Sequence, residues 1–194
     1  MFFNEKIDWC IDRHRQTNHF YDQYLPYEFH LRMVYQVFKD YEHLLDNNIH
    51  YFGEGALSEF RGSKKRVTLR YACELAVWGH DLIEDARASY NDVCDKLGEA
   101  PANIIFAVTN MRGKTRAERA NAEYYRGIRE TPGAVFVKLC DRIANVQYSK
   151  LTKSRMFEMY HSENLHFIKE LGWSETEHHP YTLMFTYLIS LFNY

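Results

Sequence analysis

The chain has 194 residues, enough for one domain with a substantial core, and a formal net charge of −2 from 24 basic and 26 acidic side chains. This balance excludes general attraction to nucleic acid or to an anionic membrane, so any basic site has to be local. The four cysteines form no Cys-x-x-Cys pair, no signal peptide is recognised, and the longest apolar run (residues 104–108) is too short to cross a bilayer. We therefore expect a soluble protein of the reducing cytoplasm.

Apolar side chains recur at helical spacing in the first part of the chain. Residues 5–19 predict a helix with one inward face, and a second amphipathic pattern follows Pro26 and carries His30 near its start. Residues 46–65 interrupt this periodicity with three glycines and two adjacent asparagines. We expect that segment to form a long loop or lid.

The remainder of the chain predicts further helices separated by glycine and proline. These helices cover residues 67–85, 90–97, 101–109, 115–130, 134–151, 154–171 and 181–194. Because no strand pattern or internal repeat competes with them, the sequence predicts an all-α fold in a single domain, residues 1–194.

Polar side chains crowd one face of the helix predicted at residues 67–85. His80 and Glu84 are one helical turn apart, as are Asp81 and Asp85. Three carboxylates beside a histidine repel one another and lose hydration where they are buried. A bound divalent cation would relieve both costs. The alternative is a solvated helix face with surplus acidic residues.

A second informative helix, at residues 134–151, carries Asp141 among apolar neighbours, with Asn145 one turn later. An isolated buried carboxylate is costly, so Asp141 is either paired or a metal ligand. Lys138 or Arg142 on the same helix would serve as the ionic partner.

Taken in order, His30, His80, Asp81 and Asp141 resemble the ligand set of the HD-domain metal-dependent phosphohydrolases. The resemblance implies an HD-type helical bundle and one divalent ion, Mn²⁺ or alternatively Fe²⁺, held by two imidazoles and two carboxylates. Such an ion acidifies water into a nucleophile and neutralises phosphoryl charge.

Local motifs narrow the resemblance to the hydrolase domain of the RelA/SpoT-type alarmone enzymes and their small stand-alone relatives. Residues 26–30 are similar to the family's Pro-Tyr-x-x-His, residues 80–85 to its His-Asp-x-x-Glu-Asp, and residues 138–145 to its Lys-Leu-Ala-Asp-Lys/Arg-x-x-Asn. Residues 108–110 lie where the family carries a Val-Thr-Asp loop with basic residues. The match runs from about His14 to Tyr160.

The resemblance also assigns roles. Glu84 and Asp85 would orient and deprotonate the attacking water. Arg116 and Asn145 would contact phosphate or ribose, and Tyr160 would line the nucleoside pocket. Apart from the resemblance, we also expect the cations Arg112 and Lys138 to bind the substrate. The basic side chains at positions 112, 114, 116 and 119 are either a solvated face or a grip for phosphate.

The chain departs from the family at two places. Asn18, His19 and Phe20 stand where the family has an Arg-Lys pair that holds the purine and phosphates, so the identity of the base is open. Residues 46–65 resemble an insertion, either a lid that supplies cations from Arg61, Lys64 and Lys65 or a solvated loop. The family's nucleotide-synthesising domain has no room here, so the resemblance implies hydrolysis alone.

Three hypotheses for function follow. The first is removal of the 3′-pyrophosphate from ppGpp, pppGpp or ppApp, the alarmones of the stringent response. The second is a phosphomonoesterase acting on a nucleotide or NADPH, and the third is a metal-binding scaffold without turnover. Glu84 and Asp85 favour the first, whose partner is a small-molecule nucleotide rather than nucleic acid or a membrane.

Overall fold

The computed structural model describes residues 3–45, 50–53, 65–110 and 112–193. The helices in this part of the chain are α1 (Phe3–Gln16), α2 (Glu28–Tyr41), α3 (Leu69–Gly79), α4 (Leu82–Asp85), α5 (Tyr90–Leu97), α6 (Glu99–Val108), α7 (Arg116–Arg119), α8 (Ala122–Glu130), α9 (Ala134–Leu151), α10 (Met156–Glu170) and α11 (Thr182–Ser190). A 3₁₀ turn at Glu42–Leu44 follows α2. The all-α fold class is therefore confirmed.

Helix α9 lies at the centre of the bundle. Its sequence has no glycine or proline to interrupt it, and apolar residues occur on every side of the helix, as expected for a fully surrounded element. It packs against α2, α3, α6, α8, α10 and α11. Asp141 and Arg142 therefore reach the site from a rigid, buried scaffold.

The helix expected at residues 67–85 begins later than expected and is not continuous. Residues up to Thr68 belong to a strand, and Thr68 accepts a hydrogen bond from Tyr71 N to cap α3. The helix stops after Gly79, and a turn at His80 and Asp81 separates α3 from α4. Asp81 has φ −103° and ψ 5°, outside the helical region, so its side chain leaves in a direction that helical periodicity did not predict.

Four short strands correct the expectation that strands are absent. β1 (Phe20–Tyr21) pairs antiparallel with β2 (Leu25–Pro26), between the first two predicted helices. β3 (His50–Gly53) pairs antiparallel with β4 (Lys65–Thr68), so the segment expected to be all loop contains β3 and the first residue of β4. Arg61 and Lys64, the expected lid cations, lie outside the described residues, and of Lys65 the structure describes the backbone alone.

The helix expected at residues 115–130 is divided by a second cap. Thr115 caps α7, and the Asn121 side chain accepts a hydrogen bond from Tyr124 N at the start of α8. A polar residue that competes for backbone N–H groups favours a cap over a helix interior. Among the described residues, no helix combines the length and apolar character that a membrane span requires.

Gly133, which precedes α9, supplies a test of the fold. Its φ of +86° is unfavourable for other residues, and an added Cβ would lie 2.6 Å from Cys73 Sγ. We predict that Gly133→Ala lowers the free energy of unfolding by about 2–4 kcal/mol, measured by urea denaturation.

Gly127 in α8 provides the matched control, because an added Cβ there meets nothing within 4 Å. Gly127→Ala should be neutral or stabilising by up to about 1 kcal/mol. Equal effects of the two substitutions would contradict the assigned packing around Gly133.

Candidate metal centre and active site

Three elements bring the expected ligands to one point. His30 lies in the first turn of α2, His80 directly follows α3, and Asp141 projects from the middle of α9. His30 Nε2 lies 3.2 Å from His80 Nε2 and 3.4 Å from Asp141 Oδ1. One donor atom from each of these three residues lies within 4.8 Å of the others, so they form a group that could hold a metal ion.

Asp81 joins the same centre from the turn after α3. Its Oδ2 lies 2.9 Å from His80 Nε2 and 3.7 Å from His30 Nε2. The Tyr27 hydroxyl donates a hydrogen bond to the same oxygen. The structure therefore brings together all four residues that the sequence suggested as ligands.

The separations of the donor atoms fit a small divalent cation. Atoms about 2.1 Å from one ion lie about 3.0 Å apart at 90° and about 3.4 Å apart in a tetrahedron. The five measured separations among these nitrogen and oxygen atoms run from 2.9 to 3.7 Å. Two imidazoles and two carboxylates are also a donor set that suits such an ion.

Neighbouring groups orient the two imidazoles. His80 Nδ1 lies 2.9 Å from the Val77 carbonyl oxygen, so it carries the proton that it donates and Nε2 is left with a lone pair for a ligand. The His30 ring stacks on Tyr21 with centroids 4.8 Å apart, which fixes its plane.

The electrostatics of the centre favour a cation. Burial alone would lower the pKa of His80, but Asp81 and Asp141 raise it well above its usual value. Burial alone would raise the pKa of Asp141, yet Lys138, His30 and His80 lower it well below the usual range. The carboxylates thus hold positive charge at this point, either as a proton or as a metal ion.

The acidic pair Glu84 and Asp85 lines the same cavity as His30, Asp81 and Asp141. Asn110 holds Glu84, because its Nδ2 lies 2.9 Å from Oε1 and its backbone N donates to Oε2 at 3.2 Å. Asp85 Oδ2 lies 3.9 Å from His19 Nε2. Burial, with the nearby charges of Asp81 and Glu84, raises the pKa of Asp85 to about 7.

Lys138 and Asn145 line the cavity, but each of them also contacts Asp141 through a polar atom. Lys138 Nζ lies 3.2 Å from Asp141 Oδ2, and Asn145 Nδ2 donates to Asp141 Oδ1 at 2.6 Å. Tyr21 in turn donates its hydroxyl to Asn145 Oδ1 at 2.9 Å. Both residues therefore hold the Asp141 carboxylate in place at the edge of the cavity.

The other expected substrate-binding residues separate into two groups. Arg116 and Tyr160 line the cavity, which has a volume of about 550 Å³, a size suited to a small-molecule ligand. Arg112 is exposed and is not among the lining residues. Charge alone selected Arg112 and gave no information about the direction of its side chain.

Sequence reasoning missed several lining residues, among them Tyr27, Asn110, Arg142 and Glu163. Tyr27 comes three residues before His30, and Glu163 comes three residues after Tyr160, so helical spacing could have suggested both. The Tyr27 ring is also held in place by the His14 and His19 rings, which stack on it with centroid distances of 4.4 and 4.0 Å.

Comparison with known proteins supports the resemblance. The chain is 33% identical over 72 residues to the guanosine-3′,5′-bis(diphosphate) 3′-pyrophosphohydrolase of Aquifex aeolicus (strain VF5). The aligned part covers 35% of this chain and 10% of that protein, so the chain spans about a tenth of the curated relative. No protein-family model matches the chain.

A solved structure is similar over nearly the whole chain. It is described as a metazoan ortholog of SpoT that hydrolyses ppGpp and plays a role in starvation responses. It superposes with a TM-score of 0.66 at 17% identity, over 97% of this chain and 93% of that one. The fold expected from the RelA/SpoT-type resemblance is therefore confirmed.

The geometry predicts that His80 is indispensable for metal binding. His80→Ala removes the nitrogen that is closest to both His30 and Asp81, so bound Mn²⁺ should fall from one per chain to background in isothermal titration. His178→Ala, at an exposed position outside the cavity, should retain full binding. Tight stoichiometric binding by the His80 variant would contradict the assigned centre.

Proposed function

We propose that this protein is a metal-dependent phosphohydrolase that removes pyrophosphate from the 3′ position of a nucleotide such as ppGpp, pppGpp or ppApp. The observation that carries the proposal is the convergence of His30, His80, Asp81 and Asp141 on one point beside Glu84 and Asp85, which line the adjoining cavity. The names of the curated relative and of the similar structure support the same chemistry.

The four ligand residues would hold one divalent ion, for which we propose Mn²⁺. Bound there, the ion would lower the pKa of water and neutralise charge on the phosphoryl group. Lys138, Asn145 and Tyr27 keep Asp141 and Asp81 turned toward the centre, because each contributes a hydrogen bond or ionic contact to a carboxylate oxygen.

Glu84 and Asp85 have different roles toward the attacking water. Asn110 fixes both carboxylate oxygens of Glu84, which suits this residue to orient water. Asp85 has a longer contact, 3.9 Å from His19, and is freer to accept a proton. Geometry therefore supports Glu84 as the orienting group and Asp85 as the general base.

The purine contact is proposed to differ from that of the guanine-binding relatives. His19 stands where the family has a cation, and its ring is stacked on Tyr27 instead of open to a ligand. Two aromatic side chains, Phe20 and Tyr160, are candidates to stack on the base. Tyr160 lines the cavity, whereas Phe20 is 53% exposed and does not. We infer that Tyr160 contacts the base and that guanine binds more weakly than adenine.

The cytoplasm remains the proposed compartment. All four cysteines have free thiols, and Cys10, Cys73 and Cys140 are buried. Unpaired cysteines are typical of proteins kept in a reducing environment, which supports the expectation from the sequence.

Substitutions in the acidic pair test the division of roles. Asp85→Asn should lower kcat by about 10²–10⁴-fold, the usual contribution of a positioned base, and Glu84→Gln should have a smaller effect. Both variants should keep the wild-type Mn²⁺ stoichiometry, measured by isothermal titration. Unchanged turnover in both variants would refute the assigned roles.

The products test the reaction itself. With Mn²⁺ and a panel of ppGpp, pppGpp, ppApp, NADPH and simple nucleotides, we predict pyrophosphate as the product from the 3′-diphosphorylated substrates, resolved by ion-exchange chromatography. Metal removal by a chelator should abolish its release. Inorganic phosphate as the sole product from every active substrate would instead establish a phosphomonoesterase.

A further inference from the structure

Helix α1 contacts the chain on both sides of α4, the four-residue helix that carries the acidic pair. The His14 ring stacks on Tyr27, whose hydroxyl donates a hydrogen bond to Asp81 just before α4. The neighbouring residue Arg13 contacts the chain just after α4. The first contact orients a proposed metal ligand, whereas the second is made to the backbone that follows the acidic pair.

One nitrogen of Arg13 binds two carbonyl groups directly after Asp85. Its Nη2 donates to Ala86 O at 3.2 Å and to Arg87 O at 3.1 Å. A helix of four residues satisfies few of its own carbonyl groups, and a cation is favoured at the C-terminal end of a helix. The Arg13 guanidinium therefore supplies both hydrogen bonds and positive charge to the end of α4.

The backbone that Arg13 contacts is strained. Arg87 has φ +55°, a left-handed conformation that is unfavourable for a residue with a side chain of this size. The residues on either side, Ala86 and Ala88, are buried, and both donate their N–H groups to Leu82 O. A strained turn persists only where the surrounding structure holds it, and Arg13 is one of the groups that hold this one.

The environment of Arg13 argues that the contact has a function. Its Nε is buried and, within the described part of the chain, has no hydrogen-bond partner. An unsatisfied buried donor destabilises a folded protein. Close packing of α1 on α4 alone would favour an apolar side chain at this position, so the polar contacts with the backbone after α4 are what the arginine adds.

The two acidic side chains are held in different ways. Glu84 is held through its carboxylate, which accepts hydrogen bonds from the side chain and the backbone N of Asn110. Among the described residues, the Asp85 carboxylate has no hydrogen bond, and its contact with His19 is 3.9 Å long. The position of Asp85 is therefore set by the backbone of α4, and Arg13 binds the carbonyl groups that come directly after it.

We propose that Arg13 is a positioning residue for Asp85, acting through the backbone at the end of α4. This inference rests on the proposed function, which assigns Asp85 as the general base. Arg13 is not among the described residues that line the cavity, so it acts without touching the substrate. A displacement of about 1 Å can lower the rate of a catalysed reaction by about 10²-fold, which is enough for a backbone contact to matter.

Steady-state kinetics of Arg13→Ala tests this role. The variant should lower kcat by about 10–10²-fold and change KM little, because the groups that bind the substrate remain. Arg13→Lys should recover part of the loss, since an ammonium group keeps a donor and a positive charge but lacks the guanidinium fork. Arg126→Ala removes a mostly exposed arginine of α8 and should behave as the wild type.

A double variant separates action through Asp85 from a general structural defect. Asp85→Asn removes the base, so adding Arg13→Ala to it should lower kcat little further, because both changes affect one group. A structural defect would instead lower kcat by the same factor in both backgrounds. That result would overturn the proposal.

Free guanidinium ion provides a readout that a loss of packing would not give. The ion can occupy the space left in Arg13→Ala and should restore much of kcat at concentrations far below the molar range that unfolds proteins. It should not restore kcat in Asp85→Asn. Thermal melts establish which variants are folded, and Arg13→Lys carries the same comparisons if Arg13→Ala does not fold.

Amide hydrogen exchange tests the contact without turnover. The backbone N–H groups of Asp85, Ala86 and Ala88 donate to carbonyl groups at the start of this segment, and in Arg13→Ala they should exchange faster than in the wild type. Exchange in α9 should not change. Absence of turnover in the wild type would refute the proposed function, while faster exchange would still show that Arg13 holds the end of α4. Unchanged exchange at these three amides, or an unchanged kcat in an active enzyme, would overturn the inference.

Discussion

Asp81 and Asp141 place two carboxylates around His30 and His80 at a largely buried point, and this arrangement is stable only if positive charge lies between them. Their side chains are 18% and 14% exposed, so solvent supplies little screening. Lys138 supplies part of this positive charge, because its Nζ lies 3.2 Å from Asp141 Oδ2. A divalent ion would supply the rest of the positive charge, and the observed donor separations suit such an ion. Hydrogen bonds that Tyr27, Asn145 and His80 make to their neighbours hold the donor atoms in position for it.

The fold brings these four donor side chains together from different parts of the chain. Helix α9 carries Asp141 through the centre of the bundle, where packing on every side fixes its position. Helix α3 stops after Gly79, whose missing side chain leaves room for Ile105, since an added Cβ would lie 2.7 Å from Ile105 Cδ1. The turn that follows directs Asp81 to the centre, and α4 then places Glu84 and Asp85 in the adjoining cavity.

The sequence predicted the features that depend on local pattern. Helical periodicity predicted the helices, and the resemblance to the HD-domain phosphohydrolases predicted the four ligands. The two-residue strands β1 and β2 are too short to show alternation, and the break after Gly79 was invisible because the polar residues beyond it still repeat at helical spacing. The sequence did not predict contacts between distant positions, such as the ion pair of Arg116 and Glu163, which are 47 residues apart. Charge alone also did not distinguish Arg116, which lines the cavity, from the exposed Arg112. Such contacts depend on tertiary packing, which single-residue patterns do not specify.

The central claim is that one cation is held jointly by His30, His80, Asp81 and Asp141. Anomalous diffraction from crystals grown with Mn²⁺, with data recorded on both sides of the manganese edge, tests it most directly. The account predicts one strong peak per chain with Nε2 of both histidines and an oxygen of each carboxylate about 2.0–2.3 Å from it. A peak elsewhere, no peak at saturating Mn²⁺, or a peak from which any of the four side chains is turned away would contradict it.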